Sequence, residues 1–110
     1  MSDARMVFCT CETQEQAGTI ARSLVEGRLA ACVNILPPLQ SIYRWKGAIE
    51  RADEILLLIK TTEAAFPAVR DRIRELHSYE TPEIVGIPIS NADDDYLDWL
   101  RQQVQLAAAS

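Results

Sequence analysis

Basic side chains are in short supply in this sequence. Lys and Arg total 11 against 16 Asp and Glu, a formal charge of -5. Binding a nucleic-acid backbone takes clustered Lys and Arg, so the balance argues against a nucleic-acid partner. Long apolar runs are missing too. None is longer than the run from Ile55 to Ile59, stopped by Lys60, far below the roughly 18 residues that span a bilayer. The chain starts Met1-Ser2-Asp3-Ala4-Arg5 with no apolar leader core, so no membrane partner and a cytoplasmic location are expected. Histidine occurs once, at His77, and cysteine three times. An odd number rules out a complete internal disulfide framework. Paired C-x-x-C units, the strong zinc signal, are absent. So are the glycine-rich nucleotide loops and the G-x-S-x-G nucleophile elbow. Without an obvious nucleophile-base pair or oxyanion hole, the reading is not an enzyme, and no organic cofactor is expected.

What is present is ordinary for a globular chain. The 110 residues are 48% hydrophobic and 25% charged, which suits one domain over 1–110. Residues 5–11 are rich in strand formers. Thr13 with Gln16 three residues on marks a helix start. Ala17, Ile20, Ala21, Leu24 and Val25 then recur at helical spacing up to Gly27, a good helix terminator. Residues 31–45 read as extended, with a bulge or bend expected at Pro37-Pro38. Lys46-Gly47 turns the chain into a second long strand over 48–61. Its end is apolar on both faces, so both should be covered. Phe66, Val69, Ile73 and Leu76 give a second helix ending at His77. Residues 83–89 form a last strand, with Pro88 marking an edge. Ser90 and Asn91 offer caps, and Asp93, Asp94 and Asp95 suit the positive start of a third helix. Residues 107–110 should fray.

The order is βαββαβ plus a C-terminal helix, an α+β ferredoxin-like sandwich. Its central hairpin is too long for the domain. A strand of roughly 15 residues spans about 50 Å, whereas a domain of this size has a radius of gyration of about 13 Å. An overhanging apolar hairpin needs a partner chain, so a homo-oligomer is expected.

The densest chemistry lies in His77-Ser78-Tyr79-Glu80-Thr81-Pro82-Glu83-Ile84, at a helix-to-strand junction. A lone histidine beside carboxylates can bind a metal, move a proton or close a helix. Cys9 and Cys11 fall on one strand face.

Several segments together resemble the CutA1 family of divalent cation tolerance proteins. They are Cys9-Thr10, the run from Leu29 to Ile35, Ser41 to Gly47, Leu58 to Thr62, His77 to Ile84, and Tyr96 to Leu100. The resemblance covers nearly the whole chain in order. It implies a stable homotrimer of ferredoxin-like subunits, akin to PII signalling proteins that bind small effectors between subunits. It also implies copper as a weakly bound ion, with Cys9 and His77 as its ligands. Two departures bear on that. Ser78 stands where many members have proline, and Leu76 where some have a second histidine, which removes a ligand.

Thiolate favours Cu(I), and imidazole suits copper and zinc. The bland alternative makes Cys9 a small core residue and His77 a helix cap. Cys11 could extend a metal site, but a structural or surface place is favoured for it, and core packing for Cys32. Tyr43, Arg44 and Trp45 read first as hairpin contacts, and second as lining of an intersubunit cleft. Tyr79, Glu80 and Glu83 would form that cleft's polar wall. Three readings follow: a copper-binding trimer for metal tolerance, a PII-like small-molecule sensor, or a structural trimer without ligand.

Overall fold

The computed structural model describes residues 3–105. The expected fraying at 107–110 lies outside them. The elements run β1 (Ala4–Cys11), α1 (Gln14–Glu26), β2 (Cys32–Ile35), β3 (Leu39–Trp45), β4 (Ala48–Thr62), α2 (Phe66–Leu76), β5 (Val85–Pro88) and α3 (Asp94–Gln103). They form an antiparallel sheet with strand order β2-β4-β1-β5, and β3 pairs with β4 beyond β2. The chain is thus a mixed α+β fold with three helices among the described residues.

Alternation along the central strands sets the layers. Val7, Cys9 and Cys11 of β1 and Ile55, Leu57 and Ile59 of β4 point to one face and are buried. There they meet Ala17, Ile20 and Leu24 of α1 and Val69 and Ile73 of α2. The opposite face carries a smaller cluster, in which Leu100 of α3 is buried with Ala4 and Ala31. Coverage of β4 is therefore uneven. Leu56 and Leu58, on α3's side, stay half-exposed, so one chain does not cover both faces as its sequence pattern asks.

Local chemistry sets the boundaries. Thr13 Oγ1 accepts from the Gln16 backbone N–H at 3.1 Å and starts α1. Gly27 ends it, but with φ -79°. The left-handed residue is Arg28, φ 59°. Gly27 suits the close approach there, since a Cβ would lie 3.0 Å from the Ser23 carbonyl oxygen, tighter than ordinary contact. The expected cap of α3 shifts from Ser90 and Asn91 to Asp93, whose carboxylate accepts from Tyr96 N–H at 3.2 Å.

The proline pair acts as the sequence suggests. Ile35 pairs with Leu57 and Leu39 with Glu54, so four steps on one strand match three on the other. The extra residue is a bulge. Beyond it β3 and the first half of β4 run out together to Lys46 (φ 50°) and Gly47 (φ 83°), a turn with both central residues left-handed. Ile42 and Ile49 are both over 60% exposed on this arm. The arm also stretches the chain, whose radius of gyration is 14.5 Å and longest dimension 43 Å. The last strand is shorter than the expected 83–89. Its ladder with β1 runs from Pro88 opposite Arg5 to Val85 opposite Phe8, at the sheet edge.

Candidate functional site

Three elements bring the chemistry together. β1 ends at Thr10-Cys11, α2 ends beside it, and the segment after α2 crosses in front of the outgoing β3–β4 arm. His77 is the C-cap of α2, its N–H bonded to Ile73 O at 2.8 Å. Its ring faces β1. Nε2 lies 2.8 Å from the Thr10 carbonyl oxygen, and Nδ1 accepts the Tyr79 N–H at 3.1 Å. A carbonyl only accepts, so Nε2 carries the proton and the imidazole is neutral in this arrangement. The Tyr79 ring lies against it, centroids 4.6 Å apart.

Behind His77 lie the two β1 thiols. Cys9 and Cys11 are fully buried and unpaired. One ligand atom from each of Cys9, Cys11 and His77 falls within 4.8 Å of the others, the single such trio among the described residues. The two expected ligands are therefore together. Cys11, favoured from sequence as a bystander, stands with them. The signal for it was the C-x-C spacing, which puts both sulfurs on one face. Sequence could not say that α2 would end over that face. Contact with the Cys11 sulfur, then burial, push the Cys9 thiol well above the usual range. The same contact lowers Cys11.

The donor set suits a soft ion. Two sulfurs and an imidazole are ligands for Cu(I) or Zn²⁺ and poor ones for Mg²⁺ or Ca²⁺. Metal binding requires both thiols deprotonated and one imidazole nitrogen released from its backbone partner. Of the two, Nδ1 already presents a lone pair. Cys32 is elsewhere. It is half-exposed on the other sheet face, its Sγ 3.5 Å from the Tyr96 hydroxyl, so the expected core role is only partly right.

The expected cleft residues also converge. Tyr43, Trp45, Tyr79, Glu80 and Glu83 all line one cleft of about 670 Å³ between the β3–β4 arm and the segment after His77. Sequence missed one member. Glu54 of β4 also lines it, only 6% exposed, with Oε2 accepting from the Tyr79 hydroxyl at 2.8 Å. Burial, and then the Glu54 carboxylate, push the Tyr79 phenol well above its usual range. No alternation rule marks a glutamate as buried, so this residue was not legible. Arg44, between Tyr43 and Trp45, does not line the cleft. The three aspartates at 93–95 serve α3: Asp93 caps it and Asp94 and Asp95 fill its first turn.

Comparison with known proteins agrees along nearly the whole chain. Residues 5–103 match the family model described as CutA1 divalent ion tolerance protein. The divalent-cation tolerance protein CutA of Thermus thermophilus is 54% identical over 97 residues, covering 88% of this chain and 94% of that one. Human protein CutA is 44% identical over 103 residues, 94% of this chain. The chain spans only 58% of that longer relative. Among solved structures, the periplasmic divalent cation tolerance protein CutA from Archaeoglobus fulgidus superposes with a TM-score of 0.90 at 40% identity. That match covers 93% of this chain and 99% of the other.

Proposed function

The chain belongs to the CutA1 divalent ion tolerance family, and from that footing we propose that it supports tolerance to divalent metals by holding copper at Cys9, Cys11 and His77. The observation that carries this is the closeness of two buried thiols and the one imidazole, within 4.8 Å of one another. Cys9 and His77 follow the family reading. Cys11 supplies a third donor in a chain where Leu76 replaces a second histidine. The form of copper that two thiolates favour is Cu(I), taken up as the already reduced ion, so that binding itself transfers no electron. Sequestration of this kind requires no reaction step, so we read the protein as a binding protein and not an enzyme, with no organic cofactor.

We further read residues 1–110 as one ferredoxin-like domain assembled as a homotrimer. The strand order β2-β4-β1-β5, with α1 and α2 on one face, supports the ferredoxin-like assignment. The half-exposed Leu56 and Leu58 and the exposed Ile42, Tyr43, Trp45 and Ile49 support partner chains. No helix among the described residues is long and apolar enough to cross a membrane. A cytoplasmic place is our reading for this chain, while the Archaeoglobus relative is described as periplasmic.

The test is growth of cells lacking this chain in graded copper. Complementation by the wild-type chain is expected to restore tolerance, and by Cys9→Ser/His77→Ala to fail at equal protein level. Equal rescue by both would remove the basis of the proposal.

A further inference from the structure

We propose that the cleft between the β3–β4 arm and residues 78–83 is a binding site for a small organic ammonium cation. Its size is right. About 670 Å³ falls within the roughly 300–1,000 Å³ of small-molecule pockets. Its walls combine three aromatic rings, Tyr43, Trp45 and Tyr79, with three carboxylates, Glu54, Glu80 and Glu83, and no lysine or arginine. Aromatic faces and carboxylates both attract positive charge, and an ammonium group on an apolar body uses both at once.

Glu54 is the strongest sign. Its side chain is almost wholly buried in the cleft wall, held by a neutral phenol at 2.8 Å, with no Lys, Arg or His within ion-pair distance among the described residues. A buried carboxylate without a counter-charge is costly, and a bound cation would offset that cost. Glu80 and Glu83 are exposed at the rim, where they would draw a cation in.

A bare metal ion fits less well. Among the described residues the metal-type groupings contain no carboxylate, so the three glutamates do not converge on one point. Spread carboxylates with aromatic rings between them match an extended organic cation. Outside the lining, the Lys46 Nζ stands 5.7 Å from the Trp45 ring centroid. It already shows that this ring accepts a cation from the arm's tip.

The experiment is calorimetric titration of the full chain, in its native assembly and with a chelator present, with choline and with its neutral carbon isostere dimethylbutanol. Choline is expected to bind saturably and the isostere not to bind. Glu83→Gln and Trp45→Leu are each expected to weaken choline by about fivefold, the scale of one such contact. Lys46→Gln is expected to leave binding unchanged or tighten it, because it removes a competing charge. Size-exclusion with light scattering on each variant establishes that the assembly is intact, and Glu80→Gln at the exposed rim is the second variant if Trp45→Leu disperses it. Absence of choline binding, equal binding of the isostere, or weakening by Lys46→Gln would overturn the proposal. The chelator keeps this result independent of copper binding.

Discussion

At the scale of single residues, the proposed ligand role of His77 competes with a structural one. Its ring ties the end of α2 to β1 through Thr10 and orders the next turn through Tyr79. The same ring is the imidazole nearest two thiols. His77→Ala is therefore expected to lower stability by about 1–3 kcal/mol, the cost of leaving buried polar partners unmet, as well as to weaken copper. Denaturant unfolding separates the two effects, because His77→Asn can restore part of the hydrogen bonding but little of the copper affinity. Cys11→Ser should weaken copper in a chelator competition titration and lower stability by about 1–3 kcal/mol, because a hydroxyl buried in the core costs more than a thiol. Copper affinity unchanged in Cys11→Ser would return the site to two ligands.

Tyr96 gives a pH test on the other face. The Cys32 sulfur, 3.5 Å away, and then burial push its phenol up to about 12. A raised phenol pKa means that the fold favours the neutral form. The stability this supplies is complete below the ordinary tyrosine value of about 10 and is lost as pH rises through the folded value. Ultraviolet titration should show a phenolate step near pH 12 that disappears in Tyr96→Phe. A wild-type chain whose tyrosines all titrate near 10 would contradict the Cys32 contact.

At the scale of elements, legibility followed how local the cause was. α1 could be read because its cap, its apolar stripe and its stop lie within residues 13–27. The bulge could be read because prolines cannot donate to a ladder. The start of β5 could not, because Glu83 and Ile84 are strand-like but lie beyond the last β1 pairing at Phe8. The cluster of Cys9, Cys11 and His77 was half legible. Period two puts the thiols on one face, but the approach of His77 depends on how α2 docks. Leu100 illustrates the packing side. It is the buried anchor of α3, so Leu100→Ala should cost about 2–4 kcal/mol. A loss under 1 kcal/mol in denaturant unfolding would mean that α3 does not hold the second face.

At the scale of the whole molecule, the outgoing arm and the uneven sheet point the same way. An arm carrying exposed Ile42, Tyr43, Trp45 and Ile49 and a strand with half-exposed Leu56 and Leu58 leave apolar surface that a single chain does not bury. The clustered thiols Cys9 and Cys11, in contrast, are buried within one chain. Assembly and metal binding should therefore separate. Ile42→Asp/Ile49→Asp should produce a lighter species in light scattering while the thiol cluster still binds copper. A variant that stays at wild-type mass would place the contacts elsewhere.

The central claim is the soft metal site, and its most direct measurement is a Cu(I) competition titration against a chelator of known affinity. It is run on the wild type and on Cys9→Ser/His77→Ala, with oligomeric mass checked in parallel. One ion per chain is expected in the wild type, and a loss of affinity of at least about a hundredfold in the double variant, at unchanged mass. Equal, weak binding by both proteins would contradict that claim and would leave the buried thiols as packing alone.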